Sequence, residues 1–211
     1  MIKLNVIQGS DQWLKCRLGL PTGSQFHKIV TPKTMKPSKQ AEDYLNDLVA
    51  EYIIGEPLEP EMTQYMARGL ELEDEASDYY EFQTGLEPVT IGFCLRDDRL
   101  VGCSPDRLIG DDGGLEIKCP APGTHIGYLR NNDKLRDKYK AQVQGFLWIT
   151  GREWCDLLSY HPTIHSLILR CERDKEFIDL LELHVGAFIK TLEEVKREIM
   201  EEYGQKHKSA A

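Results

Sequence analysis

The residues best suited to chemistry lie in one stretch, Gly102-Cys-Ser-Pro-Asp106-Arg-Leu-Ile-Gly-Asp-Asp-Gly-Gly-Leu-Glu116-Ile-Lys118-Cys-Pro120. Its pattern predicts a hairpin with Asp106 on one arm, Glu116 and Lys118 on the other, and a glycine-rich turn between them. Side chains alternate along a strand, so Glu116 and Lys118 share a face while Ile117 points into the core. The spacing lets Asp106 reach that same face. Two carboxylates with open positions suit a hard cation, Mg²⁺ or Mn²⁺. Such an ion polarises a phosphodiester and lowers the pKa of a bound water. Lys118 is placed to orient that water or to neutralise charge developing on the phosphate.

A bare Asp…Glu-x-Lys pattern has a plain alternative, a surface cross-strand ion pair. The chain also carries a decoy, Glu194-Val195-Lys196. That triplet falls on a long predicted helix, where residues two apart do not share a face, and Lys196 is expected to be dispensable. Ser104 has neither a histidine placed to activate it nor a G-x-S-x-G setting. His161 and His165, with Pro162 between them, read as a turn rather than a zinc site. A further carboxylate source is Glu71-Leu-Glu73-Asp-Glu75. Leu72, Ala76 and Tyr80 step by four, and Glu73 borders the face they define. A carboxylate at a core edge is costly unless it meets a cation or a metal. Glu71, Asp74 and Glu75 are expected to be solvated.

These side chains need a scaffold, and the apolar periodicity supplies one. Ala41, Leu45, Leu48, Val49 and Tyr52 recur at helical spacing and end at Gly55 and Pro57. Met62 to Phe82 reads as a second helix with Gly85 as its cap. The period then changes. Pro88 to Leu95, Arg99 to Ile109 and Gly114 to Cys119 read as strands. The segment from Pro120 to Lys138 reads as a loop, and Lys138 to Thr150 as a helix stopped by Gly151. Cys155 to Tyr160 and Ile164 to Cys171 are two more strands. From Lys175 onward Phe177, Leu181, Val185, Phe188, Leu192, Val195 and Ile199 mark one long amphipathic helix. This order implies an α/β (α+β) domain with a central mixed sheet flanked by helices. The chain is read as one domain, 1–211. It comprises a helical N-terminal part (1–85), a sheet core (86–171) and a C-terminal helix (172–205).

Composition narrows the class. The 211 residues are 41% hydrophobic, enough for a core that needs no disulfide or metal. No apolar run approaches the about 20 residues of a membrane span, and the first residues lack a signal-peptide pattern. The six cysteines form no CxxC, which suits reduced thiols in a cytoplasmic protein. A net charge of -9 argues at first against nucleic acid. The charge is uneven, however. Between Asp11 and Glu42 there is no acid and there are six bases, whereas Glu42 to Glu81 holds thirteen acids and one base. Arg130, Lys134, Arg136, Lys138 and Lys140 form a second basic cluster. The basic segments are expected to track a phosphate backbone, with the acidic segment facing away.

Five ordered blocks carry a resemblance. They are Trp13-Leu-Lys-Cys-Arg17-Leu-Gly with Thr22-Gly-Ser24; Gly69-Leu-Glu-Leu-Glu73-x-x-Ala76 with Phe82-x-x-Gly85; Cys103-Ser-Pro-Asp106; Leu115-Glu-Ile-Lys-Cys-Pro120; and Tyr139-Lys-Ala-Gln142-Val-Gln144. Through them the chain resembles the phage lambda exonuclease and YqaJ-type viral recombinase family, within the PD-(D/E)XK nuclease superfamily. The resemblance implies a restriction-endonuclease-like core and a Mg²⁺-dependent exonuclease that digests linear double-stranded DNA 5'→3' and leaves 3' overhangs for recombination. It implies two ions per active site, with Mn²⁺ substituting. It implies a ring-shaped homotrimer that partners a single-strand annealing protein in the cytoplasm of a bacterial host. Carried over by motif, Asp106, Glu116 and the Ile117 carbonyl bind metal, Glu73 supports a metal through water, and Lys118 acts on the nucleophilic water. Gln142 lines the site, and Arg17 with Ser24 holds the 5'-phosphate. Ser104 offers a further short hydroxyl donor for phosphate oxygens. The competing readings are an end-processing or structure-selective endonuclease of the same superfamily and a catalytically idle DNA-binding module. An idle module is expected to have lost a ligand, and Asp106, Glu116, Lys118 and Glu73 are all present.

Overall fold

Hydrophobic strands and amphipathic helices assemble as a mixed sheet with helices on both faces in the computed structural model, which describes residues 1–58 and 64–203. In chain order the elements are β1 (Ile2–Leu4), α1 (Asp11–Arg17), a 3-10 turn (Gly23–Gln25), α2 (Phe26–Ile29), β2 (Val30–Thr31), β3 (Lys36–Pro37), α3 (Ala41–Ile54) and α4 (Gln64–Thr84). Then come β4 (Pro88–Val89), β5 (Phe93–Leu95), β6 (Gly102–Cys103), β7 (Arg107–Ile109) and β8 (Gly113–Lys118). The chain continues through α5 (Pro122–Arg130), α6 (Asp133–Thr150), β9 (Trp154–His161), β10 (Ile164–Glu172) and α7 (Lys175–Glu202). The main sheet has the order β10-β9-β8-β7-β4. Only β8 and β9 run parallel, because α5 and α6 form the crossover between them. A second sheet has the order β1-β5-β6, and β2 with β3 forms a small hairpin.

The alternation of β8 sorts the two faces. Leu115 and Ile117 join Ile109, Leu158, Tyr160, Ala76 and Tyr80 in an apolar layer beneath α4. Gly114, Glu116 and Lys118 turn to the other face, where α6 lies, and behind α6 a larger core includes Phe26, Leu48, Leu147 and Leu181. Gly114 is required by this packing, since a Cβ there would meet the Phe146 ring at 2.3 Å. Gly151 caps α6 at φ +71, the left-handed conformation that favours glycine.

Several sequence expectations change in detail. The span 88–95 splits into β4 and β5, and 99–109 into β6 and β7, because the chain switches sheets there. The expected loop 120–138 is largely helical. Pro122 occupies the first turn of α5, where its missing N–H costs nothing, and α6 starts at Asp133. The short helix α1, capped by the Ser10 side chain accepting from the Trp13 N–H at 3.3 Å, was not expected. The helical N-terminal part also contributes β1 to a sheet. Met62, the expected start of α4, lies outside the described residues. No helix among the described residues is long and apolar enough to cross a membrane.

Candidate active site

Asp106 sits one residue before β7, and its Oδ2 accepts a hydrogen bond of 2.6 Å from the Ile117 amide of β8. This bond ties the two arms together and sets the aspartate beside the Glu116-Ile117 peptide. Glu116 is buried, 4% exposed, on the α6 side of the sheet. Its Oε1 accepts from Lys118 Nζ and, at 2.5 Å, from Gln142 Nε2 on α6. Gln142 and Tyr139 are one helical turn apart, and the Tyr139 ring lies 4.8 Å below the Lys118 ammonium. Burial, then Glu116, pushes the Asp106 carboxyl well above its ordinary value, partly countered by Lys118. Burial pulls the Lys118 ammonium down, but Glu116 and Asp106 more than offset it, so its pKa is raised and it stays charged.

The donor set fits a small hard cation. Asp106 Oδ1 and Glu116 Oε2 accept no hydrogen bond among the described residues. Two buried carboxylates that repel each other, with unshared oxygens, are stabilised by a cation between them. No group of three or more His, Cys, Asp and Glu side chains among the described residues stands ready to hold an ion. Asp106 and Glu116 supply two carboxylates, and Mg²⁺ is commonly held by one or two carboxylates and several waters.

Glu73 reaches the site from α4, on the opposite face of the sheet, and is not free. Arg107 Nη1 donates to Glu73 Oε1 at 2.6 Å, and Nη2 to Asp74 Oδ1 at 2.7 Å. Asp74, 95% exposed, and Glu75, also exposed, are solvated as expected, although each takes a partner: Arg107 for Asp74, and for Glu75 the Tyr160 hydroxyl, which donates to its Oε1 at 2.5 Å. Arg107 was missed by sequence reasoning. Its only signal is a charge on the apolar-facing phase of the strand Arg107-Leu-Ile.

The second half of the site is a cavity of about 180 Å³ that Arg17, Ser24 and Ser104 line together with Glu116 and Gln142. Trp13 organises it. The Arg17 guanidinium stacks 3.9 Å from the Trp13 ring centroid, and Trp13 Nε1 donates to Ser104 Oγ at 2.9 Å. Trp13 stands four residues before Arg17, a helical spacing that could have singled it out. The Arg17 guanidinium makes no hydrogen bond or ion pair among the described residues, although Glu51 on α3 is near enough to act on its charge. Burial pulls its guanidinium below the ordinary value, with Tyr44 and Glu51 opposing. A half-buried guanidinium with no carboxylate partner among the described residues, beside hydroxyl donors, has the chemistry to hold an anion.

The cavity opens into a cleft of about 1630 Å³ that holds Asp106, Lys118, Lys28 and Lys138. Asp47, Glu51, Glu73 and Asp74 also line it. This corrects the expectation that the whole acidic segment faces away. The helices α3 and α4 form walls of the cleft, and some of their acids necessarily turn inward.

The two decoys resolve differently. Lys196 is buried and donates to the Gly19 carbonyl at 2.9 Å, so it is a structural residue rather than a dispensable one. His161 and His165 lie at an exposed turn, whereas the buried histidine is His125, held between Ser159 Oγ at 2.7 Å and the His165 carbonyl at 2.9 Å.

Residues 12–153 match the model of the YqaJ-like viral recombinase domain. The chain belongs to this family. The YqaJ-like fold is also that of an alkaline exonuclease from Laribacter hongkongensis. That structure is 30% identical, with a TM-score of 0.82, covering 91% of this chain and 97% of that one. The same exonuclease in complex with dAMP matches at 31% identity and a TM-score of 0.82, with the same coverage. A phage-related exonuclease from Haemophilus somnus 129PT shares the fold at 18% identity and a TM-score of 0.67, covering 85% of this chain and 96% of that one. No curated protein matches the sequence significantly. The family and the Laribacter structures support a nuclease function.

Proposed function

We propose that this YqaJ-like protein, as a single nuclease domain, is a Mg²⁺-dependent exonuclease that degrades linear double-stranded DNA from its 5' ends and leaves 3' overhangs for phage-type recombination. The observation that carries this reading is the shared cavity. Arg17, Ser24 and Ser104, whose side chains can donate hydrogen bonds to a phosphate, line the same cavity as Glu116 and Gln142. A terminal 5'-phosphate held there brings the neighbouring phosphodiester toward Asp106 and Glu116, the register an exonuclease needs. The dAMP complex of the Laribacter exonuclease is a nucleoside monophosphate, the product class of such a reaction.

A divalent ion, or a pair of them with Mn²⁺ able to substitute, supplies Lewis acidity and an activated water when bound. Asp106, Glu116 and the Ile117 carbonyl would hold it, with Glu73 assisting through water. Lys118 keeps its proton beside Glu116 and faces the charge that grows on the scissile phosphate. Gln142 fixes Glu116 so that its free oxygen points consistently. Arg17, stacked on Trp13, grips the 5'-phosphate with its planar fork. Lys28 and Lys138 follow the backbone without reading sequence. In this reading the protein works in the host cytoplasm as a homotrimeric ring and hands the exposed strand to a single-strand annealing protein.

The test compares linear with closed circular duplex, with Mg²⁺ and with a chelator. Degradation of the linear form alone, and only with the metal, is expected. Cutting of the circle would favour the endonuclease reading instead.

A further inference from the structure

Arg107 occupies an unusual place. It follows Asp106 directly, is 6% exposed, and lies on the α4 side of the sheet while the Glu116 and Lys118 side chains occupy the other side. Its fork closes three contacts at once: Glu73 Oε1 at 2.6 Å, Asp74 Oδ1 at 2.7 Å, and the Asp106 carbonyl at 2.7 Å. Glu73 lines the same cleft as Asp106, and its charge acts on the Asp106 carboxyl. Of the two carboxylates that face the cleft from α4, Glu73 is thus already held by a cation that belongs to the protein and that it shares with Asp74.

We propose that Arg107 is a built-in counter-ion that makes divalent ions load in order. The first ion meets only Asp106, Glu116 and the Ile117 carbonyl, whose unshared oxygens are open. An ion on the Glu73 side must compete with Arg107 for Glu73 and is therefore held more weakly. Because the same guanidinium holds the Asp106 carbonyl, it also keeps the strand start in place while the α4 side is exchanged. The inference rests on the metal-dependent reading above and adds an order and a residue to it.

Calorimetric titration of the full-length protein with Ca²⁺, without DNA, tests it. Wild type is expected to show two steps at least tenfold apart in affinity. Arg107→Met should strengthen the second step more than the first and narrow that gap severalfold. Adding Glu73→Gln to Arg107→Met should remove the second step and leave the first. Arg107→Lys keeps the charge but loses the fork. It should fall between wild type and Arg107→Met, and it serves if the methionine variant does not fold. Two equal sites in wild type, or a gap unchanged in the folded Arg107 variants, would overturn the proposal. An absence of any Ca²⁺ binding would overturn the metal reading beneath it, a distinguishable result.

Discussion

Asp106, Glu116 and Lys118 form a charge cluster that is expensive to bury, and the protein keeps it by pairing every member. Asp106 binds an amide, Glu116 binds Lys118 and Gln142, and Lys118 stacks over Tyr139. On the proposed function, removing Asp106 or Glu116 removes a ligand for the metal, and removing Lys118 removes a positive charge beside the reacting phosphate. Asp106→Ala, Glu116→Ala and Lys118→Ala should each lower the rate of duplex degradation about 10²-fold or more. Circular dichroism should show a retained fold, since the apolar layers do not depend on these groups. Arg17→Ala removes a charge-assisted phosphate contact worth about 1.5–3 kcal/mol. The preference for 5'-phosphorylated over 5'-hydroxyl ends should therefore shrink about 10- to 150-fold. Equal loss on both ends would place Arg17 outside phosphate recognition. Lys196→Ala leaves the buried Gly19 carbonyl unpaired and should lower thermal stability at a cost of about 1–3 kcal/mol. Turnover per folded molecule should be little changed.

Elements place those residues, and the sequence disclosed the elements unevenly. The alternation Gly114-Leu-Glu-Ile-Lys118 and the cap Gly151 are local signals, and both read correctly. The long helix α7 was legible because its apolar stripe repeats over 28 residues. What stayed hidden was non-local. The split between β4 and β5 depends on β5 leaving the main sheet to pair with β1, and nothing in 88–95 states the partner. The helix α5 has a weak apolar stripe, interrupted by Gly123 and Gly127, so it read as loop. At the site, the carboxylates and Lys118 announced themselves by type and spacing, whereas Arg17 came from the family resemblance alone. Tyr139 and Arg107 act through cross-element contacts that spacing alone does not reveal, whereas Trp13 stands one helical turn from Arg17 on the same element. One packing constraint is open to test. Gly114→Ala drives a methyl into the Phe146 ring, and overpacking of this kind costs about 1–3 kcal/mol. Because α6 also carries Gln142, activity should fall along with the melting temperature. Combining Gly114→Ala with Phe146→Leu should cost less than the sum of the single changes, measured by chemical denaturation.

The molecule as a whole carries a net charge of -9, yet its proposed substrate is a polyanion. The cleft reconciles the two in part: Lys28, Lys118, Lys138 and Arg17 face acids on α3 and α4 within it. Modest affinity per subunit is then expected, and a ring around the duplex would compensate by making escape topologically difficult. A ring needs a heterologous interface, in which different patches meet head to tail. Light scattering after gel filtration should give about three times the 24.2 kDa of one chain. If charged patches close the ring, high salt should dissociate it, whereas an apolar interface should hold. The central claim is that a terminal 5'-phosphate is held beside a metal-dependent hydrolytic site. The most direct measurement uses linear duplex labelled separately at its 5' and 3' ends, with Mg²⁺. The 5' label should be released first, as a mononucleotide, while the 3'-labelled strand stays long and becomes single-stranded. Early release of the 3' label, or internal fragments from both labels, would contradict the account.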